Sequence, residues 1–221
     1  MKTLSVLAAA LILASGMAGA QPAQPSRIPG DLIALKGGTV TIKSAAGETL
    51  EIALAEPLRV LAVSQTDFSA IKPGSYVAVT ALPQADGSLL ASRINIFPES
   101  MRGVGEGHRP MAALPGNTMT NATVASVAGG PAANTMTNTM TNATVTHVAD
   151  ATQARHLTVQ YPGGNKQVLV PPGLPIMLLE SVERSKLVPG AHLIVTATRL
   201  DGAGWIANSI TMGKDGSVPP S

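Results

Sequence analysis

The stretch Ile71-Lys72-Pro73-Gly74-Ser75-Tyr76-Val77-Ala78-Val79-Thr80-Ala81 returns further along the chain as Leu187-Val188-Pro189-Gly190-Ala191-His192-Leu193-Ile194-Val195-Thr196-Ala197. Each copy opens on a Pro-Gly pair, in which proline presets one turn dihedral and glycine accepts the positive φ that other residues resist. Each then runs on as an apolar, β-branched segment of strand length. A block that repeats its turn and its strand together marks the duplication of a β-unit.

Outward from that block, apolar and polar residues alternate in Thr39-Val40-Thr41-Ile42-Lys43, Thr49-Leu50-Glu51-Ile52 and Ser92-Arg93-Ile94-Asn95-Ile96, the pattern of half-buried strands. Gly37-Gly38, Ala46-Gly47 and Asp86-Gly87 supply turns between them. Thr66 to Lys72 is the one short helical piece, with Thr66 or Asp67 as its N-cap. The repeat extends to Leu157-Thr158-Val159-Gln160 over Val40-Thr41-Ile42-Lys43, and to Trp205-Ile206-Ala207-Asn208-Ser209-Ile210 over Leu89-Leu90-Ala91-Ser92-Arg93-Ile94. Strand, strand, strand, short helical turn, strand, strand is the order of the OB-fold, so an all-β protein of two tandem five-stranded Greek-key barrels is expected. An open sandwich with the same strand count is the alternative.

The first unit, with Gly30-Asp31-Leu32-Ile33-Ala34-Leu35, its Gly-Gly turn, the Lys72 to Val79 block and the Asp86 to Ile96 ending, resembles the bacterial domain of unknown function 5666, an OB-like family of exported proteins. The resemblance covers roughly residues 29 to 98 and, more loosely, 143 to 213. It implies a fold and carries no active site.

Lys2, the apolar run Leu4 to Ala14 and the small-x-small site Ala18-Gly19-Ala20 predict a signal peptide over residues 1–20. The apolar run is too short to span a bilayer, so a periplasmic or secreted protein without a membrane span is expected. A Pro-rich arm over 21–28, modules at 29–98 and 143–213, a linker at 99–142 and a disordered tail at 214–221 complete the expected organisation. Cleavage removes Lys2 from 15 basic residues and none of the 13 acids, leaving a nearly neutral chain. Near-neutrality and only five aromatic residues argue against a nucleic-acid partner. With no cysteine, the fold rests on apolar burial and not on disulfides.

The linker is rich in Gly, Pro, Thr, Asn and Met, and Asn117-Thr118-Met119-Thr120-Asn121-Ala122-Thr123-Val124 recurs as Asn138-Thr139-Met140-Thr141-Asn142-Ala143-Thr144-Val145. The second of these copies leads into Ala143 to Val148, read as the first strand of the second module; Ala122 to Ala128 is then a surplus strand. Met101, Met111, Met119, Met136 and Met140, with His108, are soft ligands that suit copper(I), and periplasmic copper-chaperone OB barrels offer a similar ligand set. The plainer reading makes these methionines packing residues of a polar linker. Gly103 to Pro110 looks like a phosphate cradle but has no following helix, which leaves Glu106, His108 and Arg109 as a candidate polar binding group. No nucleophile signature or paired-histidine metal spacing occurs. The expectation is a non-enzymatic binding or scaffold protein, with no cofactor, that meets an envelope protein or a small ligand. Copper handling and a hydrolase with a dispersed site are the alternatives.

Overall fold

A computed structural model describes residues 25–129, 155–200 and 204–219; the expected signal peptide and the copy of the Asn-Thr-Met-Thr repeat at 138–145 lie outside them. The described chain is all-β, and its only helical elements are single 3-10 turns. The strands are β1 (Ser26–Lys36), β2 (Thr39–Ser44), β3 (Thr49–Thr66), β4 (Tyr76–Pro83), β5 (Leu89–Phe97), β6 (Gly107–Pro110), β7 (Thr118–Ala128), β8 (Arg155–Tyr161), β9 (Gly164–Val170), β10 (Ile176–Ser181), β11 (His192–Leu200) and β12 (Gly204–Gly213).

Two closed five-stranded rings form, and each draws on both halves of the sequence. The first runs β12-β11-β1-β2-β3 and closes by parallel pairing of β12 with β3. The second runs β5-β4-β7-β8-β9 and closes by parallel pairing of β5 with β9. Strand β10 lies between β3 and β5, so both rings belong to one sheet. The expected boundaries 29–98 and 143–213 therefore follow the sequence repeat and not the barrels: strands four and five of each copy complete the other copy's barrel.

Hydrogen bonds at the repeated Pro-Gly blocks show the exchange directly. Ser75 N–H donates to Lys72 C=O at 2.9 Å and Ala191 N–H to Val188 C=O at 3.1 Å, closing equivalent turns in which Gly74 and Gly190 both take φ +87°. Gly74 N–H then donates to Val124 C=O of β7, whereas Gly190 N–H donates to Leu32 C=O of β1. Val124 and Leu32 return the bond, to Ser75 and Ala191. The ladders β1–β2 and β7–β8 also shift register at the matching place, after Leu32 and after Val124. So β7 is the first strand of the second barrel, where a surplus strand had been expected; nine of its eleven residues are identical in the 139–149 copy, all but the 125–126 pair, and sequence cannot choose between the two.

The exchange arises because strand three does not fold back. After Val60 it crosses toward the other ring, and Phe68 and Ile71 beyond it join the core of Leu157, Val159 and Val168. Symmetrically, Leu187 follows β10 into the core of Leu32, Val40 and Ile42. The expected helical piece is a 3-10 turn, Phe68–Ala70, capped as predicted by Asp67, whose carboxylate accepts from Ser69 N–H at 2.7 Å. Ser69's bonds hold the Asp67 carboxyl below its ordinary range.

Parallel registers pair Ile210 with Val60 and Ile94 with Ile176, which makes Val63 the counterpart of Leu179. These two residues are direct partners in the antiparallel β3–β10 ladder, so a pseudo-two-fold axis passes between them. Two further expectations change at the chain ends. Ser26 to Ile28 of the predicted N-terminal arm belong to β1 and pair with β11. The predicted loose tail contains a 3-10 turn at Lys214–Gly216, with Lys214 Nζ 2.6 Å from Glu180 and Pro219 buried.

Candidate ligand-binding cleft

Tyr76-Val77-Ala78-Val79-Thr80-Ala81 of β4 is buried throughout, with no alternation. Val77, Val79 and Ala81 point into the second barrel. Tyr76, Ala78 and Thr80 face outward and are only 1, 4 and 8% exposed, so something covers the outside of this strand as well. Over Tyr76 the cover is the connection between β5 and β6. Its Arg102 reaches Glu99 at 2.7 Å, Gly74 C=O at 2.8 Å and Thr123 Oγ1 at 3.0 Å, with its guanidinium 5.9 Å from the Tyr76 ring centroid. Val104 C=O accepts two bonds, from the Tyr76 hydroxyl at 3.0 Å and from Asn121 Nδ2 at 3.3 Å. Burial raises the Tyr76 phenol above its ordinary range, which keeps it a neutral donor.

Beside that cover, over Ala78, the cleft opens. It has a volume of about 320 Å³ and lies on the pseudo-two-fold axis between the barrels. Val63 and Leu179, the pair astride the axis, form its floor with Leu61. One wall is the outer face of the second barrel, where two cross-strand rows meet it. Arg109, Met119, Thr80 and Arg93 are successive partners across β6, β7, β4 and β5, and Gly107, Asn121, Ala78 and Asn95 form the next row. The other wall is the first barrel, represented by Arg27, Thr196 and Thr211.

The walls match in position and differ in chemistry. Arg27 pairs with Thr196 as Met119 pairs with Thr80, so arginine on one side stands opposite methionine on the other. Asn95 and Thr211 are likewise counterparts. Arg27, Arg93 and Arg109 all line the cleft, and no carboxylate does among the described residues. Arg109 is steadied by a 2.8 Å bond from its guanidinium to Gly105 C=O. Asn121 is 7% exposed, and its Oδ1 is buried with no hydrogen-bond partner. The amide orientation is not arbitrary, because Val104 C=O can only accept and so requires Nδ2 on its side.

The sequence candidates scatter. Arg109 and Met119 line the cleft. His108, the neighbour of Arg109 in β6, necessarily projects to the opposite face. Its Nδ1 lies 2.8 Å from Thr120 Oγ1, and its ring stacks on Tyr161 at a centroid distance of 6.2 Å. Burial, with Lys166 nearby, lowers its pKa below 6.5. Glu106 lies just before β6, half-buried, and its charge helps to raise the Tyr76 phenol. Met101 ends the 3-10 turn Glu99–Met101, and Met111 N–H donates to Asn117 C=O at 2.9 Å. Met136 and Met140 lie outside the described residues. His108 and Met119 are on opposite faces of the sheet, and no group of three His, Cys, Asp or Glu residues assembles among the described residues. Arg27, Arg93, Asn95, Asn121 and Thr211 were not anticipated; the unalternating β4 was the available signal that a second face is covered there.

A cavity of about 370 Å³ lies between the Asp86-Gly87-Ser88 turn and His156, Asn165, Lys166 and Gln167 of β8 and β9, and one of about 500 Å³ near Glu180 and Lys214 holds an already paired charge. No helix among the described residues is long and apolar enough to cross a membrane. Compared with protein-family models, with curated proteins and with solved structures, the chain finds no match.

Proposed function

We propose that this is an exported, non-enzymatic binding protein whose ligand is a small molecule held in the cleft on the pseudo-two-fold axis. The observation that carries the reading is the lining of the cleft: Arg27, Arg93 and Arg109 border one concave space over an aliphatic floor, and a few polar groups converging on an apolar pocket are what a small-molecule site requires. The volume falls at the lower end of the range of small-molecule sites. Guanidinium, amide, hydroxyl and aliphatic groups line it, which are groups that hold a ligand. Export rests on the predicted signal peptide.

The reading is tested by equilibrating the purified protein with an extract of its host's small molecules and identifying what it retains by mass spectrometry. Ala78→Phe fills the cleft from its second-barrel wall and Thr211→Phe from the opposite one; whichever keeps the wild-type circular dichroism spectrum serves as the comparison. A compound retained by the wild type and released by the filled variant is the expected result. Equal retention by both, or none by either, overturns the reading.

A further inference from the structure

We infer that the cleft selects a small organic anion, a carboxylate or phosphate monoester that also carries hydroxyl donors. This inference rests on the proposed binding function and adds the chemical class of the ligand.

Charge is the first ground. Three guanidinium groups from three strands, β1, β5 and β6, border one cavity that has no lining carboxylate among the described residues. Like charges gathered around one concave surface create a positive potential that favours an anion. Arginine adds geometry to charge, since its planar fork of N–H donors matches the two oxygens of a carboxylate or phosphoryl group. The arrangement does not depend on any of these side chains being idle. Arg109 keeps its bond to Gly105 C=O, which spends one donor and aims the rest of the fork.

Size and polarity are the second ground. Leu61, Val63, Ala78 and Leu179 make the base of the cleft apolar, and the volume of about 320 Å³ exceeds what a bare inorganic ion needs. The ligand therefore carries carbon against the floor while its charge meets the arginines. Thr196, Thr211 and Asn95 are the third ground: they offer mixed donors and acceptors around the same space, as a hydroxylated ligand requires.

The difference between the two walls gives orientation. At the position where Arg27 stands on the first barrel, the second presents Met119, with Arg109 beside it in the neighbouring strand. A two-fold ligand would gain nothing from this inequality, whereas a molecule with a charged end and a neutral end can be held one way round.

The test is isothermal titration of the purified protein with four probes: glucuronate, glucose 6-phosphate, inorganic phosphate and glucose. The first two separate a carboxylate from a phosphate ester as the source of the charge. Saturable one-to-one binding of at least one of them is expected, weakening as salt rises. Arg27→Gln and Arg109→Gln should each raise Kd roughly 10-fold or more. Lys36→Gln, an exposed change on β1 outside the cleft, should leave it unaltered. If glucose competes as well as the charged probes, the anion assignment falls and the binding reading stands. Inorganic phosphate binding as tightly as both sugar anions overturns the organic part of the inference. Absence of saturable binding by either sugar anion at millimolar concentration also overturns the inference, and the extract experiment then decides separately whether the cleft binds anything.

Discussion

Gly30 shows how one residue can be tied to one backbone contact. It pairs with Leu193 on one side and Ser44 on the other, and a Cβ placed on it would lie 2.5 Å from Lys43 C=O. The second barrel carries Ala122 at the corresponding place and tolerates it, because its ladder with β8 stops at Thr123 and Gln160. Gly30→Ala is therefore expected to destabilise the protein by about 1–3 kcal/mol, read from urea melts, whereas Ala122→Gly should cost about 1 kcal/mol or less. His108 supplies a pH signature. Because burial lowers its folded pKa below 6.5, the unfolded chain takes up this proton first as pH falls. Stability contributed by neutral His108 is present above pH 6.5 and is lost progressively below it. His108→Asn should make the fall in melting temperature between pH 7.5 and pH 5 shallower than in the wild type; an unchanged slope would place the titration elsewhere.

At the scale of the element, β7 poses a question that strand patterning cannot answer. Its buried residues Thr118, Thr120, Asn121, Ala122 and Val124 recur identically as Thr139, Thr141, Asn142, Ala143 and Val145. The copies differ at Ala125 and Ser126, both exposed, which become Thr146 and His147. Deleting residues 117–137 should therefore leave a folded protein with the second copy in the β7 position, since closing a shorter β7–β8 connection costs no more entropy. The melting temperature is expected to stay within a few degrees, with loss of the cooperative transition as the contrary outcome. Individual turns, strands and the Asp67 cap were readable because they are written in adjacent residues. The choice of pairing partner was not, since both copies bury the same kinds of residues at the same positions and either fourth strand satisfies either first strand. For the cleft the reason is similar: Arg27, Arg93 and Asn121 are distant in sequence, and only the crossing of strands brings them around one cleft.

Viewed whole, the molecule has the construction of a strand-exchanged dimer made within one chain, with its axis between Val63 and Leu179. Residues 21–98 alone contain one copy of every strand type, but β1–β3 and β4–β5 are directed to different barrels. Two such fragments can restore both barrels by true two-fold symmetry. Light scattering on that fragment should report a dimer; a well-folded monomer would show that strand three can fold back on itself. The cleft would then have identical walls, each with Arg27 and Arg93 and neither with Met119 or Arg109, and would lose the inequality that orients a ligand.

The β3 crossing also bears on what happens when the chain is severed. A protease site engineered between residues 130 and 154 would yield two fragments, one ending after β7 and the other beginning before β8. Each fragment keeps strands that the other needs, because β1 is held by β11, β3 by β12, β7 by β8 and β5 by both β9 and β10. The nicked protein should therefore elute from gel filtration as one particle and separate only under denaturant. Peptide-bond continuity and structural integrity are thus uncoupled in this fold: a single cut would break the first and leave the second in place.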